Sequence, residues 1–318
     1  MSPCIALNNS PYYYYHPRMA ASIGWPAPTT GRVVTSLARH IARVSLSFGE
    51  AYVPGIQFGV ESDRALQNAS LQRRLVALRE KLGLCYIVHI PDLVVPGAYH
   101  PSGVMTRIAR LCYGRASSSP EAFGRFMRRR IRSAAAIGAP FMVLHLPNGP
   151  REDPQETARY FSSDMASELE RAGILLGIEN CNSSGSPYYG EIAHVHSLIE
   201  SLDGPYGFCF DYGHYRVGRT DVDGHELARA ATAPIHHVHI NDGTADQHLF
   251  LGERPSGADH AALDRVEERY VREVLSHSRA PVYVLERNKP FSPAMLSRGV
   301  GLLIDAIGPD GKDKPLGR

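Results

Sequence analysis

Hydrophobic and polar positions along this chain follow two rhythms in turn. Short runs rich in β-branched and aromatic residues stop abruptly at polar ones. Each is followed by a longer stretch whose apolar residues recur every three or four positions. The short runs are CIALNN (4–9), YVPGIQFGV (52–60), LCYIVHIP (84–91), FMVLHLPN (141–148), ILLGIENC (174–181), YGFCFDYGH (206–214), HHVHIND (236–242) and PVYVLERN (281–288), eight in all. Helical spacing covers Arg32–Ser47, Asp63–Leu82, Pro120–Ile137, Pro154–Ala172, Glu191–Leu202, His260–His277 and Ser292–Ile307. Several of these open on Ser, Asp or Pro and close near Gly. Apolar strands alternating with amphipathic helices predict a parallel sheet covered on its outside, and eight repeats predict closure into a (β/α)8 TIM barrel. No stretch reads as a linker, so residues 1–318 are expected to form a single domain.

Composition narrows the class without changing this picture. Hydrophobic residues make up 43% of the chain and charged residues 21%, enough apolar material for a large core. Lys and Arg number 34 against 32 Asp and Glu, so the whole-molecule field does not gather nucleic acid or anionic membrane unless charge is segregated on one face. No apolar run approaches the roughly 18 residues of a membrane span, and the N-terminus lacks the basic-then-apolar order of a secretory signal. The expected compartment is the cytoplasm. Five cysteines, at 4, 85, 112, 181 and 209, form no CxxC pair and indicate neither a disulfide framework nor a zinc ribbon.

The chemistry lies where polar residues end the strands, because a barrel projects its functional side chains from the C-terminal strand tips toward one mouth. Those tips carry His89, His145, Glu179, Asp211 with His214, His239 and Glu286. In HHVHINDGTADQH (236–248), Asp246 and His248 are two apart and face the same way if their loop is extended, whereas His236 and His237 are read as structural. One strand-end histidine is weak evidence, but six consecutive strands that end this way are not. Carboxylates gathered in a buried place are costly unless a cation neutralises them, which points to bound divalent metal. Imidazole and carboxylate without thiolate suit zinc, with manganese or ferrous iron as alternatives. Asn180, Asn241 and Asp242 are expected to orient these imidazoles or bind substrate.

The order VHIP, LHLPN, GIEN, FDYGH, VHIND…DQH, LERN resembles the xylose isomerase-like barrel superfamily, and within it the AP endonuclease family 2, endonuclease IV-like group, over nearly the whole chain. The resemblance implies nine ligands for three zinc ions: His89, His145, Glu179, Asp211, His214, His239, Asp246, His248 and Glu286. It implies that Glu179 and Glu286 bridge metals and that Asp246 and His248 hold a peripheral ion. Two departures weaken the duplex-cutting part of the family pattern: Asp92 stands where the group has tyrosine, and GVESDRALQ (59–67) replaces its arginine-bearing loop.

Two chemistries follow. Clustered divalent ions acidify a shared water and neutralise a phosphoryl group, which makes hydrolysis of a phosphoester or similar small polar substrate the first expectation, with Glu179 and Glu286 as catalytic residues. The alternative is a sugar or sugar-phosphate isomerase or epimerase, for which the superfamily needs only Glu179, Asp211, His239 and Glu286. Iron-dependent oxidation is a lesser third. A small-molecule substrate is the expected partner; nucleic acid is not favoured. The PYYYYHP run (11–17) is expected at the mouth, with Trp25 stacking on a substrate ring. The basic run RFMRRRIRS (125–133) belongs on an outer helix, where such runs are usually solvated.

Overall fold

A computed structural model describes residues 2–8, 27–49, 51–59, 62–90, 119–146, 154–181, 189–217, 219, 223–240, 248–254, 256–257, 259–287 and 291–308. Trp25, Asn241, Asp242, Asp246, Asp92 and the PYYYYHP run lie outside the described residues.

Eight strands, β1 (Cys4–Asn8), β2 (Val53–Phe58), β3 (Cys85–Ile90), β4 (Phe141–His145), β5 (Leu175–Glu179), β6 (Tyr206–Asp211), β7 (Ile235–Val238) and β8 (Val282–Leu285), pair in sequence order. All pairings are parallel, and β8 closes back on β1 with Cys4 beside Val282. The helices between them are α1 (Ala27–Leu46), α2 (Ala69–Leu82), α3 (Pro120–Ile137), α4 (Pro154–Ala158), α5 (Ser163–Ala172), α6 (Ile192–Glu200), α7 (Tyr212–Arg216), α8 (Gly224–Ala230), α9 (His260–Glu273) and α10 (Pro293–Ile307). The fold is therefore the (β/α)8 barrel that the two rhythms predict. No helix among the described residues is long and apolar enough to cross a membrane.

Local chemistry sets the helix bounds. The stretch expected as one helix over Asp63–Leu82 is a short 3-10 turn, Ala65–Gln67, followed by α2, because the Asn68 side chain accepts the Leu71 amide and starts a new helix. Likewise Pro154–Ala172 divides into α4 and α5 at Ser162, whose hydroxyl accepts the Met165 amide. Gly83, with φ of 63°, closes α2 in the left-handed region that side-chain-bearing residues avoid. Hydrophobic spacing does not predict α7 and α8; both are single short segments capped by aspartates, Asp211 and Asp223.

Strand alternation separates two cores. Outward residues pack with the helices in a continuous layer that includes Phe58, Tyr86, Phe210 and Tyr283. Inward residues fill the barrel with smaller side chains, among them Ala6, Ile87, Val143, Cys209, Ile235 and Val284. Gly177 belongs to this inner layer: a Cβ there would sit 2.7 Å from Ile235 Cδ1. Following the inward positions up each strand, the apolar layers give way at the top to Asn8, Gln57, His89, His145, Glu179, Asp211 and His237, with His239 and Glu286 just beyond β7 and β8.

Candidate metal centre

Each side chain at the mouth is placed by the element beneath it. Glu179 and Asp211 end β5 and β6 and are wholly buried. Asp211 also caps α7: its Oδ1 accepts the His214 amide at 2.6 Å, and the single helical turn swings His214 back over the mouth. Gly213 makes that swing possible, since any Cβ there would fall inside the ring of His239. The loop after β7 returns through an antiparallel bridge between Ile240 and Leu249, which lays His248 on His239 with ring centroids 3.9 Å apart and planes within 4°.

Five groups of potential ligand atoms result, each with its members within 4.8 Å of one another; two include His237, with Glu179 and Cys209 or with Asp211 and Glu286, and the three without it are His89, His145 and Glu179; Glu179, Asp211 and His214; and His239, His248 and Glu286. These last three contain every one of the nine sequence-derived positions that is described, and they overlap only at Glu179. Glu179 Oε2 lies 3.3 Å from His89 Nε2 and 3.0 Å from His145 Nε2, while Glu286 Oε2 lies 3.4 Å from His248 Nδ1. His214 Nδ1 is 3.6 Å from Glu179 and 3.7 Å from Asp211, and His239 Nε2 is 3.5 Å from Asp211.

Do these residues fit a cation? Asp211 Oδ2 and both ring nitrogens of His239 are buried with no hydrogen-bond partner. An unmet buried polar atom costs about 1–3 kcal/mol. A divalent ion held by the Asp211 carboxylate and the nearby His239 Nε2 would serve both residues at once. The donor set is imidazole and carboxylate, as zinc, manganese or ferrous iron accepts. The groups fit.

The site also holds two residues outside the sequence-derived set. His237 is not structural filler on the outer wall. It points into the barrel, with Nδ1 2.9 Å from Glu179 Oε1, 3.7 Å from Glu286 and 3.9 Å from Asp211. His236, next to it, faces outward between Phe210 and Tyr283 and bonds Ser278, as expected of a structural residue. The alternation that turns His239 inward turns His237 inward as well, so parity along β7 was the signal. Gln57 on β2 bonds His237 Nε2 through its Oε1 at 3.0 Å and donates its Nε2 to Glu286 Oε1 at 2.7 Å. Asn180 has its side-chain amide engaged by the backbone of Asp211 in both directions, at 2.9 and 2.8 Å, which ties the ends of β5 and β6 together.

Burial and crowding shape the charges. Asp211 is pushed up to about 8, first by burial and then by the charge of Glu179. His214 is lowered to about 4 by burial and by His145, and His239 is held well below the usual imidazole range by burial and His248. Burial also acts against Glu179, yet His145 and His237 hold it well below the usual carboxylate range. The His214 and His239 imidazoles are thus neutral and ready to coordinate near neutral pH, while Asp211, and His248, which Glu286 raises against the effect of burial, are the groups that must lose protons. Below pH 8 ion uptake displaces these protons, so affinity rises with pH and levels off only above about 8. Metal-stripped protein is expected to bind zinc at least roughly tenfold more tightly per pH unit between pH 6 and 8. Chelator competition at each pH measures this, and a flat profile would contradict it.

A family model described as xylose isomerase-like TIM barrel matches residues 50–269. No curated protein matches the chain in sequence. Among solved structures, a D-tagatose 3-epimerase-like protein is 19% identical with a TM-score of 0.53, covering 80% of this chain and 89% of its own. Endonuclease IV from Thermus thermophilus is 14% identical with a TM-score of 0.52, covering 96% and 99%. The IOLI protein, solved with a bound zinc atom, is 9% identical with a TM-score of 0.54, covering 95% and 97%. At these identities the likeness is one of fold.

Proposed function

We propose that this chain, which belongs to the xylose isomerase-like TIM-barrel family, uses a multinuclear divalent-metal site at its mouth to hydrolyse a phosphoester or similar small polar substrate. The observation that carries this reading is the surplus of histidines. Glu179, Asp211, His239 and Glu286 suffice for a single ion, yet His89, His145 and His248 stand at the same mouth within ligand distance of those acids. One-ion isomerase chemistry gives these three, and Asp246 two residues before His248, no task.

The residues that would hold the ions are the three groups without His237, together with Asp246. Divalent cations there supply acidified water and neutralise charge on the attacking and leaving oxygens of a phosphoryl group. The chain's own contribution is arrangement. Glu179 presents Oε2 to the His89–His145 side while its Oε1 is held from below by His237. Glu286 presents Oε2 beside His248 while its Oε1 is held by Gln57. The two proposed catalytic carboxylates are thus fixed from beneath with their upper oxygens aimed at the mouth. Trp25, Asn241 and Asp242 remain proposed substrate contacts.

Elemental analysis of protein purified without added metal or chelator tests the reading directly. About three ions per chain, with release of nitrophenol from bis(p-nitrophenyl) phosphate, is the expected outcome. One ion per chain, with solvent deuterium entering a ketose and no phosphodiester cleavage, would replace hydrolysis by the isomerase or epimerase reading.

A further inference from the structure

Charge on the outer wall is sharply segregated. Helices α1, α2 and α3 pack side by side and carry twelve arginines and lysines against two acids, Glu80 and Glu121, although the whole chain holds 34 basic and 32 acidic residues. Arg130 there is neutralised by the buried Asp63, but elsewhere the matching of arginines with acids is denser. Arg219 pairs with Glu191 and Glu226, Arg254 with Asp264 and Glu267, and Arg287 with Glu253. Helix α9 shows what a merely solvated face looks like, with both signs interleaved and Arg269 on Glu273.

The basic wall contains a built groove. Between α1 and α2 lies a cleft of about 440 Å³ lined by Arg32, Arg39, Arg43, His40 and the hydroxyls of Thr35 and Ser36 from α1, and by Arg74 from α2. Among the described residues no acid lines it, and Arg32, Arg39 and Arg43 make no ion pair there. Arg74 is held across the cleft by a 3.2 Å bond to Thr35 Oγ1. Arg32, Arg39 and Arg43 share one face of α1 and span roughly 16 Å at about 1.5 Å per residue. Cations lined up at this density repel one another unless an anion lies between them.

We propose that this groove binds the sugar–phosphate backbone of a nucleic acid strand, away from the mouth and independently of its chemistry. Its length fits several consecutive phosphates, which advance about 3.4 Å each along the axis of a duplex, where one small phosphate would leave most of the arginines unmatched. Its lining favours a backbone over other polyanions. A protein partner needs a buried apolar or aromatic anchor, and a membrane-surface helix needs an apolar face to insert; guanidinium, imidazole and hydroxyl groups offer neither. No Phe, Tyr or Trp among the described residues lines the groove to stack on a base, so recognition is independent of sequence.

Fluorescence polarisation of the full chain with a labelled 20-nucleotide oligothymidylate, titrated with salt from 50 to 200 mM, tests this. Wild-type protein is expected to bind with a linear fall of log K against log salt. R32Q/R39Q/R43Q is expected to bind at least about tenfold more weakly at low salt, with a slope smaller by about 2, at roughly 0.7 per lost phosphate contact. Its circular dichroism and zinc content should match wild type. Arg39→Glu alone gives the same reading on a smaller scale if the triple variant folds poorly. Absence of wild-type binding at 50 mM salt overturns the proposal, as does a variant with unchanged affinity and slope. Capture by phosphatidylserine vesicles through the same arginines, without oligonucleotide binding, would overturn it in favour of a membrane surface.

Discussion

Glu179→Gln is expected to strip the mouth of most of its metal and to lower phosphodiester turnover by at least about a thousandfold. The geometry makes this the most damaging isosteric change available. Glu179 enters three of the five groups of potential ligand atoms, more than any other residue, and its oxygens divide the work, Oε2 toward His89 and His145, Oε1 toward His237 and His214. The amide removes the negative charge and replaces one oxygen with a group that donates. An NH2 aimed at His89 and His145 opposes the lone pairs those rings must offer to an ion, and one aimed at His237 removes the acceptor that its Nδ1 faces. Supporting residues one step from a metal typically cost 10–100-fold in affinity, and a shared carboxylate should exceed that range. Metal content by elemental analysis, beside circular dichroism to confirm an intact barrel, decides the matter. Full metal occupancy in the variant would remove Glu179 from the centre of the proposal.

The fold was legible in the chain because a barrel strand is buried on both faces. It writes itself as a short continuous apolar run, and the polar residue that stops the run marks the mouth. That is why Glu179, Asp211, His145 and Glu286 can be placed from the chain alone. Helix bounds are less legible: Asn68 and Ser162 each interrupt an unbroken amphipathic pattern, and a side chain that competes for a backbone amide leaves no mark on hydrophobic spacing. His237 is misread when it is grouped with its neighbour. Two adjacent strand residues face opposite ways, so His236 and His237 could not share one role. Gln57 carries no signal of its own. It is an uncharged residue in an apolar run, and its importance arises from register: Gln57 stands beside Asn8 on β1 and Ile87 on β3, at the level where the barrel interior turns polar.

His237 and Gln57 should act as one unit, and removing either should weaken zinc binding about 10–100-fold. A carboxylate cannot donate, so the bond to Glu286 Oε1 must come from the Gln57 amide NH2. That orientation turns the Gln57 carbonyl toward His237 Nε2, which must then carry its proton. The imidazole's other nitrogen faces Glu179 Oε1. The result is a continuous strap, Glu179–His237–Gln57–Glu286, that occupies one oxygen of each glutamate and leaves the other for an ion. Gln57→Leu frees the lower oxygen of Glu286 and leaves His237 Nε2 unpaired; His237→Phe does the same to Glu179 and to the Gln57 carbonyl. In either case a buried polar atom loses its partner and a glutamate loses its fixed rotamer. Because each change breaks the same strap, their effects should not add: the double variant should bind zinc only slightly more weakly than the worse single one, a coupling within the 0.5–3 kcal/mol found for residues of one network, at about 1.4 kcal/mol per tenfold. Chelator competition on the four proteins of the cycle measures it. Additive losses would mean that His237 and Gln57 support the glutamates separately, and unchanged affinities would mean that the strap has no part in holding metal.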